Sequence, residues 1–194
     1  MTSTQRGFSL IELVIVVTIL GLLAVTALPR FLDVTEEAQI ANIEGMAGGF
    51  ATGVSLVRAQ WEAEGRPQES NVNSVVYDGQ LMYLTEESAG TSAPGYPVNA
   101  GSGNTANGVS MTTTRCIRVW DSMLQNPATV TDNINNAADN RYFVDLNNGD
   151  CVFYLTQTLD RNGSAYTDPN GSLTTGNNFV YSPGFGSVRV NINN

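Results

Sequence analysis

The sequence predicts an α+β protein: a long N-terminal helix packed on a C-terminal antiparallel β-sheet. Three observations predict it. An apolar run extends from Phe8 to Leu28, with a single carboxylate, Glu12, near its start. Beyond that run, apolar side chains recur at alternating steps of three and four as far as Trp61, which is the spacing of one helix face. After Pro67 the pattern changes to short alternating segments punctuated by Asp-Gly, Asn-Gly and Pro-Gly turns.

The first segment has the length of a membrane span. About twenty apolar residues at ~1.5 Å rise each cover a bilayer core of ~30 Å. A carboxylate inside such a span costs roughly 3 kcal/mol on insertion scales unless a partner neutralises it. A plain anchor would not keep that cost, whereas a span that associates with copies of itself would. Pro29 lies at the end of the run and removes one backbone donor, so a kink or local melting is expected there.

Helix then resumes on the stripe Ile40, Ile43, Ala47, Phe50, Val54, Val57 and Trp61, with Glu36, Glu37, Glu44, Gln60 and Glu62 largely off it. The stripe suits packing on the chain's own sheet or on a separate partner helix. Gly45, Gly48, Gly49 and Gly53 cost about 1 kcal/mol each relative to Ala; they suit close approach between neighbouring helices or a segment able to stretch, and equally a weak helix compensated by packing. Gly65-Arg66-Pro67 stops the helix, with Gly as C-cap and Pro just beyond.

Val72–Tyr77 and Gln80–Thr85 around Asp78-Gly79 read as a hairpin, and 86–108, rich in Gly, Ser, Ala, Asn and Pro, reads as a surface loop. Thr113–Gln125 is expected to be a short helix ended by Asn126-Pro127, followed by an Asn-rich connector to Asn140. Arg141–Leu146, Cys151–Thr158, Phe179–Ser182 and Ser187–Ile192 then read as antiparallel strands, the first pair joined by Asn148-Gly149. The expected divisions are 1–7, 8–29, 30–66 and 67–194, a single globular domain of about 130 residues following the helix.

Composition removes several function classes. There are 18 acidic residues against 9 basic ones, and every basic residue is Arg. Without a basic footprint nucleic acid is not an expected partner. With His and Lys both absent, the commonest general base, the commonest metal ligand and the Schiff-base amine are all missing. No enzyme activity and no cofactor are expected. Asp160-Arg161-Asn162-Gly163 and Asp168-Pro169-Asn170-Gly171 gather oxygen ligands of the kind calcium takes, but they lack EF-hand spacing and suit ordinary turns better.

Arg6-Gly7-Phe8-Ser9-Leu10-Ile11-Glu12 and the apolar run after it strongly resemble the class III signal shared by type IV pilins and type II secretion pseudopilins. The resemblance implies the type IV pilin fold, and a leader, Met1–Gly7, removed between Gly7 and Phe8 by a prepilin peptidase. It also implies N-methylation of Phe8 and an assembly role for Glu12 and Pro29. An ordinary secretory signal would place its cleavage site after the apolar region, where Ala24-Val25-Thr26-Ala27 superficially offers one. The leader carries Arg6 where Lys is common, a light positive charge for setting orientation.

Cys116 and Cys151 lie beyond the span, and an even count in a translocated domain favours a disulfide over two free thiols. The pilin resemblance favours the bridge as well, and closing that loop is worth roughly 4 kcal/mol in the chain-entropy model.

Pro29-Arg30-Phe31-Leu32-Asp33-Val34 is similar to pilins of the mannose-sensitive haemagglutinin (MSHA) pilus, and Gly45–Val54 with Ala59–Pro67 is most like its MshB-type subunit. The resemblance implies a structural subunit, major or minor, of an MSHA-type pilus serving surface attachment. Its implied partners are homologous pilins met through the N-terminal helix, the peptidase and an inner-membrane assembly platform. The chain would stand in the inner membrane with a periplasmic domain before assembly, and in an extracellular pilus after it. The alternative is a pseudopilin of a type II secretion system.

Overall fold

The computed structural model describes residues 8–101 and 109–193. Helix α1 runs Leu10–Ala63, and the chain divides into a unit ending at Ala38 and a unit beginning at Gln39. In the first unit the backbone is helical throughout from Leu10, Pro29 included. The local melting expected at Pro29 is therefore absent. A proline deletes only its own donor, and the helical bonds on either side maintain the turn.

In the second unit the stripe on α1 is core. Ile43, Ala47, Phe50, Val54, Val57 and Trp61 are all buried, in one cluster with residues from both larger sheets. The stripe thus packs on the chain's own sheets rather than on a separate helix. Gly53 sits against Met123, where an added Cβ would lie 3.1 Å from the Met123 carbonyl oxygen, so the small residue allows that approach. The helix ends as Gly65 and then Arg66 take positive φ, with the Arg66 N–H donating to the Trp61 carbonyl at 2.9 Å.

Strands β1 (Gln68–Glu69), β2 (Val72–Tyr77), β3 (Gln80–Leu84) and β4 (Pro97–Ala100) form an antiparallel sheet in that order. Asp78 and Gly79 both have positive φ, the requirement of a two-residue turn that matches strand twist. Strand β4 corrects the expected loop over 86–108. Its four residues are buried, and its proline and the turn residues around it hide a short strand in the sequence. Helix α2 (Thr113–Met123) follows, its N-cap Thr112 accepting a hydrogen bond from the Arg115 N–H.

The second sheet adds β5 (Val130–Thr131), β6 (Tyr142–Asn147), β7 (Asp150–Leu155), β10 (Asn178–Ser182) and β11 (Ser187–Asn191), in the order β11-β10-β7-β6-β5. The four expected strands pair antiparallel, and the added β5–β6 pair is parallel. The Asn-rich connector contains β5 and a 3-10 turn at Ile134–Asp139, which returns the chain beside β5 in the same direction. A small hairpin, β8 (Arg161–Asn162) with β9 (Ala165–Tyr166), occupies the later loop.

Phe50 is the meeting point of this core. Its ring centroid lies 6.2 Å from that of Trp120, 5.5 Å from Phe153, 5.6 Å from Phe179 and 5.1 Å from Tyr181. Helix α1, helix α2 and the second sheet therefore share one ring. The Cys116–Cys151 disulfide, buried at both ends, ties α2 to β7 beside it. Buried polar tips are satisfied: the Tyr142 hydroxyl donates to Asn42 Oδ1 at 2.8 Å, that of Tyr181 to the Pro97 carbonyl at 2.7 Å, and that of Tyr154 to the Ser172 carbonyl at 2.8 Å.

Two predictions follow from this core. Phe50→Ala should lower unfolding free energy by about 3–5 kcal/mol, because four ring contacts are lost at once; denaturant melts compare it with wild type. The second concerns alkali. Burial pushes the Tyr142 hydroxyl up to about 12 and those of Tyr154 and Tyr181 upward as well. The unfolded phenols ionise first, near their usual ~10, so stability is full below that pH and falls progressively above it. The phenolate absorbance of Tyr142, Tyr154 and Tyr181 should therefore appear together with loss of tertiary signal, rather than before it.

Candidate functional site

The first unit carries the surface in question. Leu10–Leu28 is a 19-residue stretch long and apolar enough to cross a membrane, and none of it is buried by the rest of the chain. At ~1.5 Å per residue it is about 28 Å long, close to a bilayer core. Phe8 at its head is 88% exposed.

The two threonines inside the run turn their hydroxyls inward on the helix itself. The Thr18 hydroxyl donates to the Val14 and Ile15 carbonyls at 3.0 and 2.8 Å, and that of Thr26 to Leu22 and Leu23 at 3.3 and 3.0 Å. Backbone carbonyls a turn earlier are the acceptors a hydroxyl reaches without leaving its own helix. The lateral surface presented by this stretch is therefore hydrocarbon. In an apolar solvent these two hydroxyls are satisfied without help from a neighbour.

Its N-terminus is closed by a reciprocal pair. The Glu12 N–H donates to Ser9 Oγ at 3.2 Å, and the Ser9 N–H donates to Glu12 Oε2 at 2.9 Å. This is a capping box: the residue before the helix and the third residue within it each satisfy the other's free amide. The acid also lies in the first turn, at the positive end of the helix dipole. Ser9 is absent from the sequence expectations, although Ser-x-x-Glu ahead of an apolar run is the signal that finds it.

Of the other expected residues, Gly7 lies outside the described residues. Pro29 falls within α1, well along from Phe8 and Glu12, while Cys116 and Cys151 belong to the core of the second unit. Ser9 and Glu12 come together through the capping box, with Phe8 the residue before them. The Asp160–Gly171 segment is built on turn chemistry: Asp168 Oδ1 accepts from the Asn170 N–H at 2.9 Å, and the Asp160 carbonyl from the Thr167 N–H at 2.8 Å. Among the described residues no three of His, Cys, Asp and Glu converge as a metal site.

Comparison with known proteins bears on the same segment. Residues 2–28 match a family model described as the prokaryotic N-terminal methylation motif. The chain is 40% identical over 62 residues to the type IV narrow pilus major component PilA5 of Thermus thermophilus, covering 32% of this chain and 52% of that protein. It is 44% identical over 55 residues to the type IV major pilin protein PilE1 of Neisseria gonorrhoeae, covering 28% and 33%. With the type IV major fimbrial protein FimA of Dichelobacter nodosus it shares 30% identity over 105 residues, 52% of this chain and 67% of that protein. It thus spans about half the length of the Thermus relative and a third of the Neisseria one. No solved structure matches the chain. An exposed apolar helix capped by an acid, a methylation motif over that helix and an alignment along two thirds of a fimbrial protein lead to one assignment: the chain belongs to the type IV pilin family.

Proposed function

We propose that this chain is a structural subunit of a type IV pilus of the MSHA kind, serving surface attachment. The observation that carries the reading is the uncovered hydrocarbon surface of Leu10–Leu28, headed by a capped carboxylate. Lipid covers that surface before assembly, and the same surfaces of other pilins cover it in the filament. The precursor stands in the inner membrane with its C-terminal domain on the periplasmic side. A prepilin peptidase cleaves between Gly7 and Phe8, Phe8 is N-methylated, and the assembly platform moves the subunit into the growing pilus. The MSHA assignment is supported by Pro29–Val34 and by the helix segments around Gly45–Val54 and Ala59–Pro67. A pseudopilin of type II secretion would use the same signal, and surface filaments containing the chain distinguish the two.

Glu12 has a role at each stage. In the precursor its Oε2 holds the Ser9 amide, and its other oxygen has no partner among the described residues. Cleavage creates a cationic amine on Phe8, at the same depth in the apolar layer. Pairing that amine, of the same or a neighbouring subunit, with the carboxylate removes two charges from a medium that penalises each of them heavily. Because Coulomb attraction is steep at low dielectric, the pair is sensitive to axial register.

Two experiments test this reading. Gly7→Val should leave an uncleaved precursor in the inner membrane, because a Cβ intrudes where the peptidase must approach the backbone; normal processing of the variant rejects the cleavage site. For Glu12, Gln preserves the capping box but not the charge, and Ala removes both. Both variants should be cleaved normally, and both should fall at least about tenfold in sheared filaments, the effect of losing a charge-assisted contact. Wild-type incorporation of Glu12→Gln with loss in Glu12→Ala would assign Glu12 to capping alone.

A further inference from the structure

Among the described residues, the arginines of this acidic chain mostly have visible employment. Arg66 pairs with Glu62 at 2.8 Å, Arg58 donates to the Tyr96 hydroxyl, and Arg118 donates to Asn99 Oδ1 at 3.5 Å. Arg141 and Arg161 are in no ion pair among the described residues, and both line one open cleft of about 360 Å³ in the second unit. The cleft lies between the end of the 3-10 turn at Ile134–Asp139, the segment after β7 and the β8–β9 hairpin. None of its lining residues is Asp or Glu.

Two further features make this more than a pair of surface charges. The Arg161 guanidinium is positioned: it donates to the Tyr166 hydroxyl and lies over that ring, 4.2 Å from its centroid. Stacking of this kind fixes a planar cation and leaves its remaining N–H groups pointing outward. The second feature is Thr156. It lines the same cleft, is 97% buried, and its hydroxyl is the buried side-chain oxygen without a hydrogen-bond partner among the described residues. Its backbone N–H is held by the Arg141 carbonyl at 3.1 Å, so Thr156 and Arg141 are placed as a unit. A buried hydroxyl left unpaired is costly, and a ligand oxygen relieves it.

We propose that this cleft binds an oxyanion carried on a small molecule, a carboxylate or phosphate group, between Arg141 and Arg161, with the Thr156 hydroxyl donating to it. Guanidinium groups offer paired donors that match the geometry of both anions. The chain's net charge of −9 repels anions at long range, so selection depends on these short contacts and not on a general field. The site is independent of the assembly helix, and its failure would leave the pilin reading untouched.

The test uses full-length protein in non-ionic detergent. Arginine side-chain Nε–H resonances are followed during titration with inorganic phosphate, with glucuronate, and with neutral glucose. Saturable shifts of Arg141 and Arg161 are expected with one or both anions and none with glucose; the tighter anion identifies the source of the oxyanion. Arg141→Gln and Arg161→Gln should each weaken binding roughly tenfold, and Thr156→Val about threefold. Arg189→Gln, an exposed arginine outside the cleft with the same charge change, should leave the affinity unaltered. Absence of saturation with both anions, equal shifts with glucose, or equal losses in Arg141→Gln and Arg189→Gln would overturn the proposal. Retained amide dispersion shows that each variant is folded.

Discussion

One requirement organises this chain: every apolar face must be covered by something other than water. Helix α1 carries two such faces. That of Ile43 to Trp61 is covered by the chain's own sheets, and burying each large side chain there is worth about 1.5–3 kcal/mol. That of Leu10 to Leu28 is left bare. A sequence that retains a bare, mostly apolar stretch of nineteen residues depends on an external cover. The globular half is arranged around a ring on the same helix, so the element that needs a partner is also the element around which the rest condenses.

The helix and most of the strands were legible because their signals are local. Three-four spacing marks the buried stripe, and Asp78-Gly79 and Asn148-Gly149 mark turns whose residues adopt positive φ. What escaped was non-local. Strand β4 has four residues, begins with proline and gains its identity only from pairing with β3. Strand β5 has two, and its parallel direction is set by the path of a connector rather than by its own side chains. At Pro29 local chemistry pointed to melting, and the surrounding helical bonds prevailed.

The site shows the same division. Phe8 and Glu12 stood out because an acid in an apolar run is conspicuous. Ser9 did not, because serine is unremarkable until its distance from Glu12 is counted. The capping box changes how Glu12 is understood: a residue expected to wait for an assembly partner already has a structural task within its own first turn. The cleft between Arg141 and Arg161 left no trace in the sequence, since its residues come from three separated segments and no motif links them.

The inward-turned hydroxyls of Thr18 and Thr26 have a mechanical consequence. Directional bonds between neighbouring helices would fix them in discrete positions, and sliding would require breaking bonds one by one. A flank of hydrocarbon has no such teeth. Its attraction depends on area, and area changes little when one rod slips a fraction of a turn past another. Resistance to shear along the axis is therefore low while resistance to separation stays high. A bundle of such rods yields under tension without coming apart.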